Sequence, residues 1–480
     1  MPAFRILQLC LAAVALLQPG TASAASSDKR LVVTGVTLLD PGQEASPRTR
    51  DATLVIADET IVYAGPSGSA PPSDGARVID GTGLTAFPGL TDMHVHVWDE
   101  AELGAYLAHG VTSVRNMSGM PFHLELAQRI ARGELDGPRL LTSGPILNSA
   151  GANQQINHQI VETAQEARAA VAAQHAAGFT RLKTYSNLRR EAYEAIRDEA
   201  AQRHMLLTGH APEGERRPGM PRDIPFSIAF EDILDDGFET IEHVESILWH
   251  GLADQQDDTA AQALALRIAQ SGTPITPTLL AHHNLVMVAR TKGAYAARAG
   301  TETLNPVTQQ TEAEYIALWS RQEPTEHAAK DLWLGRFTAM LDEAGVTLVT
   351  GSDAGIFTNI PGQSLHDELA LMVRGGMSPI RALRASTSNV ADVLDEDQTG
   401  GCLSQGCRAD IVLTRCDPAE TIRCSREIEA VIARGRYHDR QDLDTLLESA
   451  RHPNSDRTLR NLMAGMEAQG TPLDPATLGM

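Results

Sequence analysis

At 480 residues the chain exceeds what one small domain needs and suits a barrel of about 250 residues with accessory segments. Hydrophobic residues make up 42%, enough for a large core, while 4% aromatics leave little surface for stacking nucleic-acid bases. The net charge of −21 is interrupted by no basic tract, which argues against nucleic acid and an acidic membrane surface as partners and leaves a small-molecule substrate.

Residues 1–24 read as a secretory signal. Arg5 supplies the positive start, 6–17 an apolar stretch, and Ala22-Ser23-Ala24 a small-residue cleavage site. The apolar run is too short to span a bilayer, and no later segment approaches about 20 apolar residues. The expected location is therefore the periplasm or the exterior. Cysteine usage agrees with export. Cys10 falls within the signal, and the other four, Cys402, Cys407, Cys416 and Cys424, share one short segment. Neighbours pairing as Cys402–Cys407 and Cys416–Cys424 is the preferred reading among three possible pairings. A zinc knuckle is the alternative, although no spacing here is the tight C-x-x-C that such sites favour.

After the signal come short β-rich runs at 31–39, 52–57 and 61–64, separated by turn residues. Similar runs recur at 409–413 and 429–433. They predict a small β-sandwich assembled from both chain ends, 25–83 and 398–440. Between them, over 84–397, apolar strands alternate with amphipathic helices. One such helix is 191–204, with Tyr193, Ile196 and Ala200 on one face. Another is 380–385, opened by Ser378 as N-cap and Pro379 in the first turn. Alternation of this kind predicts an α/β fold, a (β/α)8 TIM barrel. Its eight candidate strands are 87–94, 111–115, 140–143, 181–185, 206–210, 240–243, 274–279 and 347–353. Two connections are too long for a compact barrel, 212–225 and 282–330, and such loops tend to be lids or binding loops. The tail, 441–480, is polar and helix-permissive.

His94 and His96 end an apolar strand as His-x-His. Side chains two apart on a strand face the same way, so both imidazoles can reach one ion. A barrel spends about 31 residues per βα unit. On that scale Lys183 lies about three units beyond His94. His210 and His243 each follow after about one more, and Asp353 after two more plus the long 282–330 segment. Taken singly, each has an ordinary reading: Lys183 as an exposed loop lysine, His210 as a turn residue, His243 as a core histidine, Asp353 as a helix N-cap. Six such residues in register with the repeat instead predict a ring at the C-terminal mouth, where barrel active sites lie.

The stretch from Pro88 to His96 (Pro-Gly-Leu-Thr-Asp-Met-His-Val-His) resembles the first-strand signature of the amidohydrolase superfamily. Gly110-Val111-Thr112-Ser113-Val114-Arg115-Asn116, Thr240-Ile241-Glu242-His243, Gly351-Ser352-Asp353-Ala354-Gly355 and the segment from Gly406 to Leu413 resemble its later blocks. The resemblance covers nearly the whole mature chain. It implies two divalent ions, zinc first by donor type, with manganese, cobalt or iron as alternatives. His94, His96 and Asp353 would hold one ion and His210 and His243 the other. Carbon dioxide would convert Lys183 to a bridging carbamate, which requires the neutral amine. A metal-bridging hydroxide would attack the carbonyl, with Asp353 as base and then acid. The strand-four lysine points to the branch that holds Xaa-Pro dipeptidase-like and imidazolonepropionase-related members. Glu213-Gly214-Glu215-Arg216-Arg217-Pro218 departs from the small-residue helix that dipeptidase-like relatives carry there.

The expected activity is hydrolysis of an amide or cyclic amide, of the peptidase or N-acyl amino-acid hydrolase type. Alternatives are a lactonase or esterase on the same site, a mononuclear deaminase, for which the lysine is out of place, and a non-catalytic interaction protein. Arg115 and Tyr185, and less so His282 and His283, stand near strand mouths as candidate substrate contacts.

Overall fold

The computed structural model describes residues 30–472 except 44, 218, 221–223, 225 and 397–398. The expected signal segment lies outside the described residues.

Both chain ends meet in one sheet. Arg30–Leu39 pairs antiparallel with Arg48–Ala57, which pairs with Thr60–Pro66. On its other side Arg30–Leu39 runs parallel to Arg77–Asp80 and to Thr85–Pro88. Thr85–Pro88 then receives Ile411–Thr414 antiparallel, followed by Ile428–Ala433 and Arg436–His438. All eight strands belong to a single hydrogen-bonded sheet. Period-two alternation drives it: Val33, Leu54, Ile56, Ile411, Leu413 and Ile432 share one buried cluster.

The four cysteines pair as Cys402–Cys407 and Cys416–Cys424, on either side of the strand Ile411–Thr414. Bonded sulfurs leave no thiolates for a zinc knuckle. Closing a loop of the Cys416–Cys424 size stabilises by about 2–3 kcal/mol in the chain-entropy model. Cys416→Ser with Cys424→Ser should therefore lower the thermal midpoint, and added reductant should remove the difference from the parent protein.

The middle of the chain closes into a parallel barrel. Leu90–Val95, Val111–Asn116 and Arg139–Thr142 pair in order. The third strand resumes as Ile146–Asn148 beside Arg181–Thr184, followed by Leu206–Gly209, Phe238–Glu242 and Ile275–Thr276. The eighth position is an extended segment held by single bridges, Leu348 to Ile275 and Ala354 to Val95. Met93 N donating to the Thr350 carbonyl at 2.8 Å completes the ring.

Some boundaries differ from the sequence expectation. The run 87–94 is divided at Gly89: Thr85–Pro88 belongs to the end sheet and Leu90–Val95 to the barrel. The run 274–279 keeps only two strand residues, because Pro277 has no N–H to give and a helix begins at Leu279. The helices expected at 191–204 and 380–385 appear as Arg190–Gln202 and Pro379–Ala385, the latter without a side-chain cap from Ser378. The excess segment 282–330 is helical. It holds most of Leu279–Arg290, all of Pro306–Trp319 and the start of Pro324–Glu343. The tail carries helices Arg440–Ala450 and Ser455–Ala468. Among the described residues no helix is long and apolar enough to cross a membrane.

Candidate metal centre

His94 leaves the first barrel strand, Lys183 the fourth, and His210 follows the fifth. His243 follows the sixth, and Asp353 the eighth extended segment. The barrel mouth brings all of them together. His94 Nε2 lies 3.3 Å from Lys183 Nζ and 3.3 Å from Asp353 Oδ1, and His96 Nε2 lies 3.0 Å from the same oxygen. The rings of His94 and His243 are 4.6 Å apart and those of His210 and His243 4.4 Å.

Local backbone geometry sets these directions. Gly209 has φ 119°, and a Cβ there would stand 2.3 Å from the Thr184 carbonyl, so glycine is required where the chain turns to present His210. His243 and Asp353 take positive φ values of 69° and 55°, unusual for residues with a Cβ and of the kind that collects at functional sites. Asn359 holds the second of these turns, donating from Nδ2 to the Ser352 and Asp353 carbonyls at 3.0 and 3.1 Å.

The donor set fits a divalent ion. One ligand atom each from His94, His96 and Asp353 lie within 4.8 Å of one another, all three residues buried. Two ligands on a tetrahedral zinc with bonds of about 2.0–2.1 Å stand about 3.3 Å apart, close to the separations found. Each histidine also has its Nδ1 engaged. Glu242 Oε2 takes His94 at 2.7 Å, Ser118 Oγ meets His96 at 2.9 Å, and Thr278 Oγ1 meets His243 at 2.6 Å. Ser246 Oγ is 3.3 Å from that of His210. Thr278 itself donates to the Pro277 carbonyl, so it accepts from His243, which fixes the Nδ1–H tautomer. Partners of this kind leave Nε2 with its lone pair for a metal.

Charge inside the site is consistent with that. Burial, then Lys183, with His243 and His96, push His94 far below the usual imidazole value against the pull of Asp353, and burial lowers His96, His210 and His243 as well. Burial also pushes Lys183 down to about 8, against the pull of Asp353 and Glu242. For Asp353, burial acts to raise the carboxyl, but His94, His96 and His243 outweigh it and hold it well below the carboxylate range.

The candidate substrate contacts separate. Tyr185 is at the centre, its ring 4.0 Å from His210 and 4.4 Å from His158. Arg115 is not at the mouth. Its guanidinium is fully buried within the barrel and donates to the Met93 carbonyl, Glu239, Thr240 and Glu242 at 2.6–2.8 Å. It therefore braces Glu242, the acceptor for His94, instead of facing a substrate. His282 and His283 sit in the helix Leu279–Arg290 and turn to Glu245 and Asp331. Glu213 accepts from Trp249 Nε1 at 2.6 Å, and the Arg216 guanidinium covers the Phe226 ring at 3.9 Å.

Sequence reasoning missed Glu242, Asp92 and Ser352, although all three stand inside the motifs it used. Asp92 Oδ2 accepts from Ser352 Oγ at 2.5 Å and Oδ1 from Ser352 N at 2.9 Å, joining the first strand to the residue before Asp353. The available signal was an acid within an apolar strand, where a partner is required. Glu242→Gln should weaken metal affinity about 10–100-fold, because the amide is a poorer acceptor for His94; chelator competition measures it.

A model of the amidohydrolase family matches residues 85–437. The chain belongs to the amidohydrolase family. This amidohydrolase is 23% identical to an ochratoxinase of Aspergillus niger over 449 residues, covering 85% of this chain and 86% of that one. It is 25% identical over 403 residues to an imidazolonepropionase of Rubrobacter xylanophilus, covering 75% and 84%. A crystal structure described as a putative prolidase from Bifidobacterium longum superposes with a TM-score of 0.63 at 24% identity, over 88% of this chain and 99% of that one. The amidohydrolase is a metal-dependent enzyme acting on carbon–nitrogen bonds, with His94, His96 and Asp353 as its candidate metal site.

Proposed function

We propose that the protein is an exported hydrolase of amide or cyclic amide bonds, of the peptidase or N-acyl amino-acid hydrolase type, working with two divalent ions. The observation that carries this reading is the convergence of His94, His96, Lys183, His210, His243 and Asp353 at one barrel mouth. His94, His96 and Asp353 would hold one ion, and His210 and His243 the other. Lys183, as a carbamate, would bridge them. Zinc is the first expectation from imidazole and carboxylate donors. Carbamate formation joins the neutral amine to carbon dioxide and releases one proton, and burial keeps Lys183 closer to that neutral form. Bound divalent ions supply Lewis-acid polarisation of the carbonyl and acidify water.

The side chains do the rest. Asp353, ionised among imidazoles, takes the proton of the attacking water and returns it to the leaving nitrogen. Water adds to the carbonyl carbon, the carbon–nitrogen bond breaks, and acid and amine are released. Tyr185, packed on His210, would orient the substrate. Two disulfides agree with export. The names of the relatives point the same way, since an Xaa-Pro dipeptidase and a bottromycin amidohydrolase share the fold.

Elemental analysis should find two ions per chain. A screen of dipeptides, N-acyl amino acids, cyclic amides and lactones, with acid and amine measured separately, tests the reaction. One ion and ammonia release would support a deaminase instead, and cleavage of lactones alone an esterase.

A further inference from the structure

The segment that follows Asp353 forms one wall of a cavity of about 340 Å³, within the range of about 300–1,000 Å³ usual for small-molecule sites. Gly355, Ile356 and Thr358 line that wall, and Glu312, Ala313 and Ile316 of the helix Pro306–Trp319 line the facing one. The helix lies in the excess segment that a plain barrel does not need.

The cavity borders the segment that carries Asp353. Gly355 stands two residues beyond Asp353, and a Cβ on it would fall 2.0 Å from the His96 carbonyl, so this wall presses on the strand that carries the ligands. Phe357 N donates to Glu312 Oε2 at 2.8 Å, and the Phe357 ring packs 5.2 Å from Tyr315, tying the two walls together. Their chemistry selects the occupant. No lysine or arginine is among the described lining residues. Arg298 spends its guanidinium on the Thr358 carbonyl and the Tyr295 ring. Burial, with Asp353 nearby, pushes Glu312 up to about 8, so even the acid in the wall tends to the neutral form. An anionic group in the cavity would meet no lysine or arginine among the described lining residues.

We propose that this cavity receives an uncharged apolar group of the substrate, so that the bond hydrolysed at the metal centre belongs to an amide with a bulky aromatic or branched aliphatic substituent on one side. The proposal rests on the amide-hydrolase reading above and adds its substrate class.

The test uses the metal-loaded full chain and two matched pairs: N-phenylacetylglycine against N-acetylglycine, and N-acetylphenylalanine against N-acetylglycine. In at least one pair kcat/KM should favour the phenyl compound by about 10–200-fold. Ala313→Phe fills the cavity from the exposed helix surface and should lower that preference at least tenfold; Ala317→Phe serves if the first variant does not fold. N-benzylacetamide, titrated by calorimetry, should bind the parent protein and lose tenfold in affinity in the variant. A preference near one in both pairs overturns the pocket, as does unchanged N-benzylacetamide affinity in the filled variant. A preference for N-acetyllysine over N-acetylphenylalanine that Glu312→Gln abolishes also overturns it, in favour of a cationic occupant. If the parent protein hydrolyses none of these amides, the amide reaction fails, while the N-benzylacetamide titration still decides the cavity.

Discussion

Asp353→Asn should lower kcat for amide hydrolysis by about 10²–10⁴-fold, the range expected when a positioned proton carrier is removed. The carboxylate stands 3.0 Å from His96 Nε2 and 3.3 Å from His94 Nε2, on a backbone turn that Asn359 holds from behind. Asparagine preserves the shape and one ligand oxygen but cannot accept a proton. The imidazoles keep Asp353 ionised well below the usual carboxylate range, so its basic form persists as pH falls through 5. The ligand histidines are also held below the usual imidazole value, so mild acid should cost little activity through either Asp353 or the histidines. Metal content measured beside kcat separates the two roles. A variant that keeps its metal and its full rate would remove Asp353 from the proton path.

Lys183→Ala should bring metal content from two ions per chain to one or fewer and abolish measurable hydrolysis. The lysine is 2% exposed and its Nζ touches the ligand His94, so no water-exposed group replaces it easily. Reconstitution of metal-stripped protein gives a second readout. With a pKa near 8, the neutral amine is about a tenth of the total at pH 7 and about nine tenths at pH 9. Carbamate formation draws on that neutral form, so at matched dissolved carbon dioxide zinc should restore activity faster at pH 9 than at pH 7. One tightly bound ion per chain, unaffected by the substitution, would overturn the carbamate bridge and favour the deaminase-like, single-ion reading.

Much of this was legible in the sequence, for a definite reason. Strand-end residues recur at the barrel period, so spacing alone brought Lys183, His210 and His243 into line with His94. The end sheet was legible because 31–39 and 409–413 both alternate. What was hidden depends on contacts across the barrel. Arg115 resembled a mouth residue by position, yet its acceptors are Glu239, Thr240 and Glu242, more than a hundred residues away. Glu242 stood beside His243 in the same motif, and only the folded barrel shows that it serves His94. The helix Pro306–Trp319 escaped because its apolar residues follow no single stripe; Thr308 is its one buried residue.

The shared end sheet has a consequence for how the protein is made. Ile411 pairs with Pro88, and Thr414 with Thr85, across more than three hundred residues. Loop closure of that length is slow to find, so the chain emerges with one edge of Thr85–Pro88 lacking its neighbour until the last seventh or so of the polypeptide arrives. The sheet acts as a clasp that shuts last. A chain ending before residue 411 would keep the barrel residues but present the bare edge of Thr85–Pro88, a template for pairing with another unfinished copy. Premature termination should therefore yield aggregates instead of a smaller working enzyme.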